Sequence, residues 1–201
     1  RHAGYAATLV PWGASHCRLM GMKPPFRADH VGSLLRPPEL KDAREKRKQG
    51  RIGADELRRI EDQSIARAVA MQEASGLQAI TDGEFRRSFW HVDFLTGFEG
   101  IIATQGQYAL KFHGEGGAES ETRSMMVISS KVKRTRPVAV DHFRFLKQTT
   151  QKTAKLCIPA PTYLHMRGGR RVVNEKAYPD VEEFWRDITR AYQEEIKDLV
   201  A

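Results

Sequence analysis

The stretch Gly76-Leu77-Gln78-Ala79-Ile80-Thr81-Asp82-Gly83-Glu84, followed by Phe85, Arg86 and Arg87, decides how the chain is read. Gly76 stops a helix, Leu77 to Ile80 reads as a short buried strand, and the strand ends on two carboxylates flanking a glycine. In parallel α/β folds, functional groups collect where strands give way to loops at their C-terminal ends. Glycine there allows a turn, or a close approach of backbone to ligand, that other residues resist. Taken alone, the segment fits a polar turn with solvated carboxylates equally well.

Outward from it, the chain organises into alternating elements. Upstream, Phe26 to Ser33 reads as a first strand ending on Gly32-Ser33, with Pro38 opening a helix over about Glu39 to Gln49. A second helix covers about Ala54 to Ser75, with Leu57, Ile60, Ile65, Ala68, Val69 and Met71 on its buried side and Gly76 as a left-handed cap. Strand, helices and strand predict a right-handed parallel unit. Downstream of Trp90 comes a long excursion. Tyr108–His113 and Met125–Val132 alternate as a strand pair around a glycine-rich turn at Gly114 to Gly117. A helix over Asp141 to Thr150, a third core strand over Lys155 to Pro161 and a final helix follow. In the last, Asp180 caps, Glu183 completes a capping box, and Val181, Phe184, Trp185, Ile188, Tyr192, Ile196 and Leu199 share one face. Cys157 reads as a packed core thiol.

Composition bounds the function. The chain has 201 residues, 40% hydrophobic and 29% charged, with a net charge of +8 and two cysteines. That is enough for one domain with a sizeable core. No apolar run nears the roughly 20 residues of a membrane span. Cys17 and Cys157 have no metal-type spacing, which predicts a reducing, cytoplasmic setting. The surplus charge points to anionic partners, nucleic acid or an acidic small molecule. The basic run Lys41 to Arg59 is interleaved with acids and carries no stacking aromatics, so it reads as a solvated helix face and not as a nucleic-acid platform. Residues 1–21 show no period and are expected to be an extension, disordered or lying upstream of the folded unit at 22–201.

Together, His30-Val31-Gly32-Ser33 with Arg36-Pro37, then Ile80-Thr81-Asp82-Gly83-Glu84 with Arg87 and Phe94, resemble the start of the catalytic domain of cobalamin-independent methionine synthases. They resemble still more closely its shorter single-barrel homologues, in the barrel superfamily that also holds uroporphyrinogen decarboxylase. The likeness runs on through Arg134 to Pro137 and Ile158 to Thr162. It implies an α/β fold of the (β/α)₈ TIM-barrel type. It also implies methyl transfer from a polyglutamylated methyltetrahydrofolate to the thiol of homocysteine, with a zinc ion held by a histidine, two cysteines and a glutamate. The homocysteine-holding segment falls on Val31, Gly32 and Ser33, and the ammonium-accepting glutamate on Glu84. His30 and Asp82 lie in the same motifs, and Arg123 lies near the family's folate-loop arginine.

Departures accompany the resemblance. Asp82-Gly83-Glu84 stands where the family has His-Gly-Glu, and a folate-contacting tryptophan falls near Arg167. The zinc ligands would follow Ala201. About three core strands are visible where a closed barrel needs eight and roughly 250 residues, so the chain is expected to be an inactive amino-terminal fragment. Alternatives are another thiol alkyltransferase or decarboxylase of the superfamily, or a noncatalytic interaction fragment.

Overall fold

The computed structural model describes the backbone of residues 29–113, 119–166 and 168–201, and the side chains over the same spans except 105–113 and 119–124. The expectations for residues 1–21, for Phe26 to Ala28, for the Gly114–Gly117 turn, for Arg167 and for the Arg123 side chain fall outside those residues.

Two helices come first, each stopped by a glycine. In α1 (Pro38–Lys48), proline occupies the first turn, Glu39 sits at the positive end and Lys46, Arg47 and Lys48 at the negative end, which suits the helix dipole. In α2 (Ala54–Ala74), Ile65, Ala68, Val69 and Gln72 form the buried face. Met71, expected there, is exposed at 49%. Gly50 and Gly76 are both left-handed, with φ of 71° and 82°. Behind each, the next residue donates back into the helix, Arg51 to the Lys46 carbonyl and Leu77 to that of Gln72. This is the Schellman closure that satisfies terminal carbonyls.

The chain then enters β1 (Ala79–Ile80), which pairs in parallel with β4 (Thr153–Ala154), Ala79 opposite Thr153 and Ile80 opposite Ala154. Two expected strands are shorter or absent among the described residues. Residues 29–37 form no strand, because Gly32 turns left-handed at φ 89°. The segment nevertheless runs beside the end of β1, since Leu34 N–H donates to the Gly83 carbonyl at 3.1 Å. The expected strand over Lys155 to Pro161 is displaced to Thr153–Ala154. Pro159 and Pro161 have no N–H to give a ladder, and the Cys157 and Pro159 carbonyls accept from the side chains of Arg87 and Tyr192 instead.

Between β1 and β4 lies a short α3 (Val92–Leu95) and an antiparallel hairpin of β2 (Glu99–His113) and β3 (Glu119–Lys133). The alternation at Tyr108 and Met125 therefore marked real strands, longer than expected. The register shifts after Glu99. There Gly100 has φ 88°, and a Cβ would meet the Lys131 carbonyl at 2.5 Å, so the bulge demands glycine.

Helix α4 (Val140–Thr149) leads into β4, a four-residue α5 (Tyr163–Met166) follows it, and α6 (Val181–Val200) closes the described chain. Two apolar clusters result. One joins α1, α2, β1 and α4 around Leu40, Ile65, Ile80 and Leu146. The larger joins α3, the hairpin and α6 around Phe98, Ile128, Tyr178, Phe184 and Ile188. Asp180 caps α6 by accepting from Glu182 N–H at 2.9 Å, but Glu183 completes no capping box, because Lys131 takes its carboxylate at 2.6 Å.

The apolar stripe of α6 also fails at its end. Ile196 is exposed at 46%, and the buried position is Glu195, at 0%. Its carboxylate accepts from Arg134 Nε at 2.7 Å and from the N–H groups of Val138 and Ala139 at 3.0 and 2.7 Å. Those amides lie at the N-cap of α4, Ala139, and just before it, where a helix supplies no acceptor, so Glu195 fastens α6 to that helix end. Removing one partner of a buried, hydrogen-bonded ion pair is strongly destabilising. Glu195→Ala should cost about 3 kcal/mol or more in urea unfolding, and Glu195→Gln, which keeps an acceptor oxygen, clearly less.

Candidate functional site

After Ile80 the strand ends, and residues 81–87 must satisfy their backbone without a sheet partner. Side chains do it. Gln72, buried on α2, donates Nε2 to the Thr81 carbonyl at 2.8 Å and accepts the Thr81 N–H at 3.0 Å. Thr81 Oγ1 accepts from Gly83 N–H at 3.2 Å, and Asp82 Oδ1 from Glu84 N–H at 2.9 Å. These two-residue loops fold the turn tightly. Gly83 (φ 65°) and Glu84 (φ 57°) are consecutive left-handed residues, and Glu84 is the one non-glycine with positive φ among the described residues. A Cβ on Gly83 would also press on the Leu34 and Phe85 side chains at 3.1–3.3 Å. A left-handed glutamate carries strain that the surroundings must hold, a pattern that clusters at functional sites.

The strain aims the Glu84 carboxylate at Ser33. Ser33 Oγ donates to Glu84 Oε2 at 2.7 Å, and Arg87 Nη1 to Glu84 Oε1 at 3.2 Å. Glu84 and Arg87 are buried, whereas Ser33 is exposed. Two further arginines hold the loop by its carbonyls: Arg36 donates to those of Glu84 (3.1 Å) and Arg87 (2.6 Å), and Arg44 to those of Phe85 and Arg87 (2.9 Å). The opposite wall is tied in by Lys155, which donates to the Asp29 carboxylate and to the His30 carbonyl at 3.0 Å. His30 Nε2 donates to the Gly32 carbonyl at 2.8 Å, which bends the segment at left-handed Gly32.

Of the residues singled out from the sequence, the structure thus gathers His30, Gly32, Ser33, Asp82 and Glu84 into one place. Val31 shares the segment but stands 74% exposed. Asp82 is buried and spends one carboxylate oxygen on the turn. Arg123 falls on β3. Cys157 is half-buried and free, and its carbonyl accepts from Arg87 Nη2 at 2.5 Å. Sequence reasoning missed Gln72, Arg44 and Lys155 as supports. For Gln72 a signal existed, a polar residue in register with Ile65, Ala68 and Val69. For the two cations there was none, since they look like surface charges.

An exposed Trp90 packs against His91 and Tyr163, with ring centroids 4.6 Å and 5.1 Å away. Behind the turn, burial and the Arg86 charge hold the His142 imidazole below its ordinary pKa, with Asp82 pulling the other way. Among the described residues no three His, Cys, Asp or Glu side chains converge as a metal site would require. The described residues therefore do not make up the zinc ligand set that the motifs imply. The arrangement offers an exposed hydroxyl and a carboxylate with spare lone pairs, chemistry that suits a small zwitterion.

Two outcomes follow from this geometry. Gln72→Leu strands a buried N–H and a buried carbonyl, so it should lower stability by about 1–3 kcal/mol in denaturant titration. His142 has a folded pKa below its unfolded value of about 6.5. Its contribution is complete above that pH and is lost as pH falls through the folded value. NMR should place the His142 midpoint below about 6.5, and His142→Gln should flatten stability against pH in that acidic window.

Comparisons with known proteins agree with the motifs. The family model for the cobalamin-independent synthase catalytic domain matches residues 26–201. An uncharacterized Bacillus subtilis protein, YxjH, is 41% identical over 87% of this chain and 45% of its own length. A 5-methyltetrahydropteroyltriglutamate–homocysteine methyltransferase of Thermotoga maritima is 27% identical over 88% of this chain and 22% of its own. Among solved structures, a Listeria monocytogenes protein provisionally named a vitamin-B12-independent methionine synthase superposes with a TM-score of 0.69 at 37% identity, over 88% of this chain and 48% of that one. These likenesses are consistent with an α/β fold of TIM-barrel type. The chain spans about half the length of YxjH and of the Listeria protein, and less of the methyltransferase.

Proposed function

Because the chain belongs to the cobalamin-independent synthase catalytic-domain family, we propose that Ser33 and Glu84 bind the amino-acid end of homocysteine in a methyl transfer from methyltetrahydrofolate. The observation that carries the reading is the 2.7 Å hydrogen bond between Ser33 and Glu84, across 51 positions of sequence. Glu84 accepts from the substrate ammonium through lone pairs that Ser33 and Arg87 leave open. On binding, the Ser33 hydroxyl turns its one proton from Glu84 to the substrate carboxylate, beside the amides of Val31 and Gly32, with His30 and Asp82 shaping the segment and turn on either side. The sulfur then attacks the methyl carbon on N5 of the folate, the carbon–nitrogen bond breaks and N5 takes up a proton, leaving methionine and tetrahydrofolate. Arg123 and the basic surplus are assigned to the polyglutamate tail. Zinc, which would lower the thiol pKa, needs ligands that the described residues do not supply, so the activity is assigned to a protein carrying this chain together with those ligands.

A second reading, another thiol acceptor or substrate within the same superfamily, is favoured by one feature. Asp82 replaces the histidine of the His-Gly-Glu motif, and it is committed to the turn.

In the protein that carries the complete site, Glu84→Gln should weaken homocysteine binding by about 1.5–3 kcal/mol, roughly ten- to a hundredfold, and should also lower stability, without unfolding the protein, because buried Arg87 loses its carboxylate. Unchanged affinity removes Glu84 from the substrate. Turnover of a different thiol in place of homocysteine selects the second reading.

A further inference from the structure

Residues 29–37 form no strand, and among the described residues the N–H groups of Val31, Gly32 and Ser33 meet no backbone carbonyl. Two carbonyls of the same segment, by contrast, are gripped by side chains. His30 Nε2 donates to the Gly32 carbonyl at 2.8 Å, and Lys155 Nζ to the His30 carbonyl at 3.0 Å and to the Asp29 carboxylate. Lys155 is itself firmly placed. It follows β4 directly, and its N–H donates to the Ile80 carbonyl at 2.8 Å, at the end of β1. The lysine therefore ties the sheet that carries the Glu84 turn to a segment the sheet does not include.

The consequence lies in one peptide group. The C=O and N–H of a trans peptide point in opposite directions. The plane that aims the His30 carbonyl at Lys155 therefore aims the Val31 N–H away from it. An ammonium donating to the carbonyl also polarises the peptide, and hydrogen bonds in such a chain strengthen one another. Stability does not account for the lysine. Its ion pair with Asp29 joins side chains 24% and 42% exposed, and pairs of that kind contribute little.

We propose, on the reading of Ser33 and Glu84 given above, that Lys155 is a positioning residue for the amino-acid substrate. By fixing and polarising the His30–Val31 peptide, it presents the Val31 N–H to the substrate carboxylate at a set place relative to Glu84. Asp29 neutralises the ammonium, so Lys155 acts through orientation of that peptide and not by drawing the carboxylate directly. The ammonium end of the substrate, held by Glu84, does not depend on it.

The test uses the protein that carries the complete site, with homocysteine as substrate and two competing analogues. Homocysteamine lacks the carboxylate, and γ-mercaptobutyrate lacks the ammonium. Lys155→Met should raise the homocysteine KM about tenfold and change kcat less than about twofold, the pattern of lost uniform binding. It should weaken inhibition by γ-mercaptobutyrate by a similar factor and leave that by homocysteamine within about twofold. Lys155→Arg, which keeps a charged donor, should recover most of the loss. Circular dichroism checks the fold, and Lys155→Gln is read in the same way if the methionine variant unfolds. Equal losses for both analogues mean a merely structural role and overturn the proposal, as does an unchanged homocysteine KM or a wild-type protein that ignores γ-mercaptobutyrate. Glu84→Gln, run in parallel, should weaken homocysteamine and spare γ-mercaptobutyrate. Its failure to do so overturns the reading of Glu84 and leaves the Lys155 result to be judged by γ-mercaptobutyrate alone.

Discussion

The described structure depends on keeping one glutamate in a backbone conformation it would not choose. Glu84 is left-handed at φ 57°, and nothing in residues 81–87 has a sheet partner to hold it. The loop is held by side chains instead. Gln72 grips Thr81 from α2, Thr81 and Asp82 each catch an amide two residues on, and Arg36 and Arg44 take the carbonyls of residues 84, 85 and 87. Helices α1 and α2 therefore do more than cover the sheet. They fix the coordinates of one carboxylate.

The same device recurs in the larger cluster, where Glu195 of α6 receives Arg134 and the amides that lead into α4. In both places a buried carboxylate meets a guanidinium, Arg87 at Glu84 and Arg134 at Glu195, and Glu195 also accepts from amides that secondary structure leaves unpaired. Such pairs are costly to bury and costly to break. They define which helix end meets which loop, while the apolar clusters around Leu40 and Phe98 supply non-directional attraction. Arg44 of α1 and Arg86 and Arg87 of the loop thus act as internal fastening, while Lys46 and Lys48 of α1 make only exposed pairs.

What the sequence by itself determined was local. Glycines at 50 and 76 stop helices because left-handed closure is open at little cost only to a residue without a Cβ. Periodicity located α2, α4 and α6, alternation located the hairpin, and the order of the short motifs identified the family that residues 26–201 match. The Gly83 turn was legible too, and the resemblance put residues 33 and 84 in one site, although the strand expected to end at Ser33 is absent over residues 29–33.

Tertiary structure alone decided where polar side chains went. Met71 and Ile196 satisfy a helical period yet lie outside, and Glu195 breaks it yet lies at 0% exposure. Helical spacing records which residues share a face, not what that face meets, and Glu195 meets amides brought from 57 positions away. Strand length was likewise non-local. Residues 155–161 are apolar enough for a strand, but their carbonyls are taken by Arg87 and Tyr192 and their prolines give no donors. Hydrogen bonds join groups by distance in space, and the sequence lists groups only by distance along the chain.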